Sequence, residues 1–426
     1  MNKESKRFLI WTIGCQMNEA DSRALAQRLA NVGLIETDKA EDADVIILNT
    51  CCVRQASEDK VYSKLANLRR WKRPGRVLAL TGCLGVKEKE SLRYRFPYLD
   101  EVIPIGEYDE FVEKVAPSID YSEGEPLPLE KGNEVTHYIT IITGCNRNCT
   151  FCIVPFVRGR EKSRPMQQIL QECQEAVSSG VKEVIFLGQN VDDYKSPDGE
   201  GGLSELLRRA EKIDGLLRIR FMTSHPRDME DDLLDVMASS DKICRELQLP
   251  VQSGDDFILK RMARGYLKRD YMRIIERART LMPDIAIATD IIVGFPDETE
   301  ERFLNTLKML EEVEFDVVHV AMFSPRPGTV AAKWTDNVPW DVKRERLNRI
   351  LDLQRAIARR KMERWVGHNV QVLIEGYDAN GHPYGRSSQG KRVVILKGKD
   401  NVVPGQLVEV RVERASAGQL AGNLVA

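Results

Sequence analysis

Residues 137–152 read HYITIITGCNRNCTFC. The first eight are mostly apolar, aromatic or β-branched and end in Gly144, and three cysteines follow at once, Cys145, Cys149 and Cys152, in a C-x3-C-x2-C spacing. The pattern predicts a strand that stops at a glycine turn and a tight loop crowded with thiols. Three thiolates so placed can hold three irons of a cubane iron–sulfur cluster and leave the fourth iron open to an outside ligand, the arrangement of a catalytic centre. Structural zinc is a competing reading, but it wants four closed ligands, and the nearest histidine, His137, lies before the strand. Packing cysteines are the remaining alternative.

Downstream, the runs EVIFLG, RIRFMTS, ELQLPVQ, IATDIIVG and FDVVHVAMFS alternate with amphipathic helical stretches as far as about Ala332. With the first strand they make six parallel strands, which suggests a partial β/α barrel; a flat doubly wound sheet accounts for the same runs. A charged helix is expected over 341–364. After it, NVQVLIEGY, KRVVILKG and GQLVEVRVERA are short β-rich runs with glycine turns, as in a small β-barrel.

Upstream, RFLIWTIG (7–14), ADVIILNT (43–50), RVLALTG (76–82) and EVIPIG (101–106) alternate with helical runs, which predicts a parallel α/β domain. A Pro- and Gly-bearing acidic linker follows at 117–133. The expected organisation is therefore an N-terminal parallel α/β domain over 5–120, a central partial barrel over 131–361 and a small β-barrel over 364–426. Cys15, Cys51 and Cys83 each follow one of the N-terminal strands, as IGC, NTC and TGC. Carboxyl ends of neighbouring strands in an open α/β sheet converge on one crevice, so three thiols distant in sequence would meet there. Three buried structural cysteines are the alternative. Cys52 could substitute as a ligand beside Cys51, while Cys173 and Cys244 read as packing residues.

Hydrophobic residues at 42% and charged residues at 30% of 426 exclude a disordered or collagen-like chain. A net charge of -2 excludes a uniformly basic coat for nucleic acid. From Asp341 onward, however, 16 basic face 9 acidic side chains, a surplus that suits a tail meeting a polyanion. No apolar run approaches the ~20 residues of a membrane span, and a cytoplasmic monomer without a signal peptide is expected.

With these motifs in hand, the whole chain resembles the radical S-adenosylmethionine (SAM) methylthiotransferases. The resemblance implies that Cys145, Cys149 and Cys152 hold a 4Fe–4S cluster whose open iron chelates SAM, which is cleaved to a 5'-deoxyadenosyl radical. It further implies that Cys15 in GCQMN, Cys51 in NTCCVR and Cys83 in TGC hold a second 4Fe–4S cluster that takes part in sulfur delivery, and that the terminal barrel is a TRAM-like RNA-binding domain. GCQMN, CNRNCTFCIVPFVRGREKSRP, LGQNV, TSHP, LPVQSG and SPRPGT are most similar to the branch acting on N6-isopentenyl adenosine beside the anticodon of tRNA. Branches that modify threonylcarbamoyladenosine in tRNA or a ribosomal-protein aspartate share the cluster ligands but differ around GCQMN and TSHP. Two positions depart from the branch: Gln248 stands in place of a common His, and Asp297 in place of a common Gly.

A tRNA anticodon stem-loop, an electron donor such as flavodoxin or ferredoxin, and a sulfur source are the implied partners. Gly188 and Gln189 fall where such enzymes place a segment beside the methionyl end of SAM, and Asp290 would meet its ribose or join an interior hydrogen-bond network. Arg158, Arg160 and Arg164 would bind RNA phosphates or the SAM carboxylate. Lys391, Arg392, Lys397 and Lys399 lie on or beside one expected hairpin and would meet phosphates. Phe156, Val157 and Phe323 are candidates for an apolar pocket around the prenyl group. His225 receives no role, because radical abstraction from an aromatic C–H needs no strong base. An iron–sulfur protein that binds RNA or senses redox state without catalysis is the non-enzymatic alternative.

Overall fold

The computed structural model describes residues 6–52, 55–118, 135–398 and 401–425; Lys399 and positions 119–133 of the expected linker lie outside them. Contacts divide the chain into two compact units. The first comprises Met1–Gly132 with Ile153–Arg160, and the second Asn133–Cys152 with Glu161–Ala426.

In the first unit the chain runs β1 (Arg7–Ile13), α1 (Gln16–Asn31), β2 (Ile35–Glu36), β3 (Val45–Thr50), α2 (Gln55–Leu68), β4 (Val77–Gly82), α3 (Cys83–Arg95), β5 (Glu101–Val102) and α4 (Tyr108–Ser118). The strands pair in parallel in the order β2-β1-β3-β4-β5. Every residue of β3 and β4 is buried, as expected of central parallel strands covered by helices on both faces. Two apolar clusters occupy those faces, one around Leu48, Val61, Leu80 and Leu92, the other around Phe8, Leu25, Ile47 and Phe111. The expected strand over 101–106 pairs only at Glu101–Val102, since Pro104 has no N–H to extend the ladder. The short helix α5 (Val154–Val157) belongs to this unit, with Ile153 and Val157 buried in the Leu48 cluster.

The second unit begins with β6 (Thr136–Thr140) and continues through β7 (Ile142–Thr143), β8 (Lys162–Ser163), α6 (Met166–Ser178), β9 (Glu183–Leu187), α7 (Leu203–Ala210), β10 (Arg218–Phe221) and α8 (Asp231–Ser239). Then come β11 (Glu246–Gln248), α9 (Asp256–Arg261), α10 (Lys268–Leu281), β12 (Ala286–Val293), α11 (Glu300–Val313) and β13 (Val317–Met322). Six expected strands are thus present as two parallel sheets, β10-β9-β6 and β11-β12-β13. A lone parallel bridge between Ile219 and Ile243 spans the gap from β10 toward β11, completing the arc of a partial barrel. At Asp297 the backbone has φ 69°, a left-handed conformation that glycine adopts freely. Here the aspartate is held by reciprocal bonds to Asn337, 2.9 Å at its N–H and 2.7 Å at its carboxylate.

Helix α12 (Trp340–Glu363) leads into β14 (Asn369–Tyr377), β15 (Pro383–Ser387), β16 (Arg392–Lys397), β17 (Leu407–Ala415) and β18 (Leu420–Leu424), a closed barrel in the order β14-β15-β16-β18-β17. Buried arginines on β10 hold this barrel to the arc. Arg218 donates to the Gln371 carbonyl at 3.0 Å and to that of Arg386. Arg220 donates to Ser387 O at 2.7 Å and pairs with Glu183 at 2.7 Å and with Glu246. Lys391 joins Lys361 on the buried carboxylate of Asp316, and Gln389 reaches Asp284 at 2.6 Å.

Removing one member of a buried ion pair leaves an uncompensated charge. Arg220→Ala should therefore destabilise the protein by about 3–5 kcal/mol, measured by urea unfolding; a change within about 0.5 kcal/mol would show that the seam contributes no stability.

Candidate metal centres

The parallel register of the first sheet aligns Ile13 with Thr50 and Thr50 with Gly82. Cys51 and Cys83 therefore leave adjacent strands side by side, with Cys15 two residues beyond the end of β1. Gly82 has φ 89°, and a Cβ on it would lie 2.3 Å from the Thr50 carbonyl, so only glycine permits this close approach before Cys83 opens α3. Cys15 is fixed by Asn18, whose side-chain oxygen accepts from its N–H at 3.2 Å and its thiol at 3.3 Å. Asn18 is in turn held by Asn49, itself bonded to Ser22, and both asparagines are fully buried.

Cys15 and Cys51 share a hydrogen bond, as do Cys52 and Cys83. The first bond lowers the Cys15 thiol to about 6, helped by Asn18 and the charge of Arg158, although the residue itself is exposed. The second lowers Cys83 to about 7 against burial, again with help from Arg158. Cys52 is pushed up as the donor of its pair. The thiols are gathered without closing on one point: among the described residues no group of three Cys, His, Asp or Glu side chains has metal-binding geometry. Soft donors, two of them acidified, on three strand ends suit an iron–sulfur cluster.

The loop after β6 and β7 carries the other thiols, all partly exposed. Gln189 accepts from Gly144 N–H at 2.5 Å, Glu161 holds both the backbone and side chain of Asn146 at 2.9 Å, and Arg147 clamps Asp193 at 2.8 Å and Asp228. Arg264, itself buried, donates to Cys149 Sγ at 3.3 Å and to Pro250 O at 2.8 Å. In the same neighbourhood Asn190 Oδ1 and His225 Nε2 are buried without partners among the described residues, which fits a site that receives a polar cofactor. His225 is pushed down to about 2 by burial first, then by the charges of Arg264, Arg147 and Arg227. It is thus held neutral near neutral pH and is a weak base.

Other candidates fall in mixed places. Gly188 packs against Ile142, where a Cβ would come within 2.4 Å of Cγ2. Gln189 orders the cysteine loop, and Asp290 is half-buried on β12 opposite His319. Arg158 is 4% exposed and bound to Asp21 at 2.7 Å, a position withdrawn from phosphates. Arg164 is held by Thr140 O at 2.9 Å and Glu172 at 2.8 Å, and Lys391 by Asp316. Arg160, Arg392 and Lys397 are exposed, with Arg392 over the Tyr384 ring at 4.3 Å. Val157 is buried in the first unit, where Phe156 is 60% exposed, and Phe323 lies in a second-unit cluster with Phe295. Asn18, Asn49 and Arg264 escaped the sequence reading; GCQMN was the available signal for Asn18, and nothing local marks Arg264.

Residues 139–310 match the radical SAM superfamily, 7–104 the uncharacterized protein family UPF0004, and 363–425 the TRAM domain. A solved radical SAM methyltransferase, TsrM from Kitasatospora setae with cobalamin and a [4Fe-4S] cluster bound, shares the fold at TM-score 0.57 and 14% identity over 77% of this chain and 74% of that one. These features define a radical SAM protein. A tRNA-2-methylthio-N(6)-dimethylallyladenosine synthase of Clostridium botulinum (strain Okra / Type B1) is 41% identical over 98% of this chain and 96% of its own length, and one of Thermotoga petrophila is 42% identical over 98% and 97%. The chain belongs to the tRNA-2-methylthio-N(6)-dimethylallyladenosine synthase family.

The His225 position yields a pH signature. Unfolded, its imidazole takes a proton below its ordinary value of 6.5, whereas the folded form does not until about 2, so this group removes stability as pH falls below 6.5. Wild type should lose about 1.4 kcal/mol per pH unit relative to His225→Gln between pH 6 and 4.5, read from urea unfolding. Parallel pH profiles would place a charged imidazole in the folded state.

Proposed function

We propose that this protein methylthiolates C2 of N6-isopentenyl adenosine beside the anticodon of tRNA, giving the 2-methylthio derivative. The observation that carries the reading is the presence of two separate thiol triads. Cys145, Cys149 and Cys152 would hold the SAM-binding 4Fe–4S cluster, and Cys15, Cys51 and Cys83 a second one. An open three-thiolate site suits catalysis better than a redox sensor, whose cluster is normally closed by four ligands. When bound, the first cluster and SAM would supply the hydrogen abstraction and the methyl group, and the second cluster would take part in delivering the sulfur; the protein supplies position.

Gln189, Glu161 and Arg147 fix the loop that presents the first triad. Arg264 directs a charged donor at Cys149. Asn190 and His225 offer free polar atoms, and Gly188 just after β9 and Asp290 within β12 are the further candidates for contact with SAM. The exposed Arg160, Arg392 and Lys397 are the best-placed phosphate ligands for an anticodon stem-loop. The three ranges 5–120, 131–361 and 364–426 would then serve sulfur delivery, radical chemistry and RNA binding. No helix among the described residues is long and apolar enough to cross a membrane. A cytoplasmic monomer drawing electrons from a flavodoxin- or ferredoxin-type donor, with a separate sulfur source, completes the proposal.

The test offers anaerobically reconstituted protein four substrates: prenylated tRNA, unprenylated tRNA, threonylcarbamoylated tRNA and the ribosomal protein. Products are identified by mass. At about 0.8 kcal/mol per buried carbon, loss of the five-carbon prenyl group should lower turnover efficiency by a hundredfold or more. Turnover confined to the threonylcarbamoylated tRNA or to the ribosomal protein would move the chain to a sister activity.

A further inference from the structure

Arg158 lies six residues after Cys152 in sequence, but its guanidinium belongs to the first unit. It is 4% exposed. A cation buried this deeply is tolerated only when paired and when its donors find acceptors. Asp21 takes Nη2 at 2.7 Å. Nη1 is buried and has no acceptor among the described residues, while the guanidinium also shares a hydrogen bond with the Cys83 thiol and brings its charge close to Cys15. The unused donor therefore sits at the thiol triad. Three thiolates around a 4Fe–4S core make a net anion, and any further sulfur ligand adds negative charge. A planar guanidinium with one arm anchored by a carboxylate presents its other arm in fixed geometry to such an acceptor.

We propose that Arg158 is a positioning residue for the second centre, anchored through Nη2 by Asp21 and using Nη1–H to hold an anionic sulfur ligand, a hydrosulfide or thiolate, at the cluster carried by Cys15, Cys51 and Cys83. The proposal rests on the assignment of that cluster made above. Loss of the donor should weaken the sulfur ligand and lower the potential of the cluster, because hydrogen bonds to the sulfurs stabilise the reduced, more negative state.

The experiment uses the full-length chain carrying Cys145→Ala, Cys149→Ala and Cys152→Ala, so that only the second cluster contributes. After anaerobic reconstitution, iron is counted, the midpoint potential is followed by electron paramagnetic resonance, and methanethiolate is titrated as the probe. With Arg158 intact, about four irons and a methanethiolate-dependent change of signal are expected. Arg158→Met should keep the irons, lower the potential and weaken methanethiolate by at least about tenfold, the loss of one charge-assisted hydrogen bond. Should Arg158→Met fail to fold, Arg158→Lys decides: it retains the ion pair to Asp21 but lacks the second arm, so it should keep iron and still bind methanethiolate more weakly. Unchanged affinity and potential at full iron in either variant would overturn the role of Arg158 alone. Absence of iron with Arg158 intact would overturn the cluster assignment and, with it, this proposal.

Discussion

Parallel strands release their chains at a single edge, and both candidate centres depend on that constraint. In the first unit the in-register ends of β1, β3 and β4 convert three cysteines 36 and 32 residues apart into neighbours. In the second, β6 pairs in parallel with β9, and Gln189, two residues beyond β9, holds the N–H of Gly144, which directly follows β7. An antiparallel sheet would send alternate connections to opposite edges and disperse the same thiols. The glycine at 82 and the buried Asn18–Asn49 pair then set the positions that strand pairing alone leaves loose.

Buried arginines recur within both units and do different work. Arg220 is satisfied on every side by Glu183, Glu246 and a barrel carbonyl, and so acts as a fastener between β10 and the terminal barrel. Arg264 is nearly satisfied by backbone and Tyr266, with one arm on Cys149. Arg158 has one arm on Asp21 and one without an acceptor.

What the sequence made legible is what depends on neighbours in the chain. The C-x3-C-x2-C spacing is local, the six central strands are long apolar runs, and Gly-Cys after a strand states where a thiol leaves the sheet. Less legible were features created only by folding. RIRF on β10 alternates arginine with apolar residues, yet all four residues are buried because the barrel takes up the donors of Arg218 and Arg220. Lys391 reads as a phosphate ligand, but Asp316, 75 residues earlier, takes its charge. The terminal barrel is expected from three runs that form β14, β16 and β17, but β15 and β18 contain Pro or Gly and lack an apolar alternation, so these two strands are not legible in the sequence. Arg158 stood in an evident basic run, and only the fold revealed that it alone of that run turns inward to Asp21 and the thiols.

Two independent triads holding two clusters is the claim on which the rest turns, and iron content with SAM cleavage in two triple variants tests it most directly. Intact protein should bind about eight irons, and each variant about four. Replacing Cys145, Cys149 and Cys152 with Ala should abolish SAM cleavage, whereas replacing Cys15, Cys51 and Cys83 should preserve cleavage and abolish methylthiolation. An intact protein that never exceeds about four irons after full reconstitution, or cleavage lost equally in both variants, would contradict it.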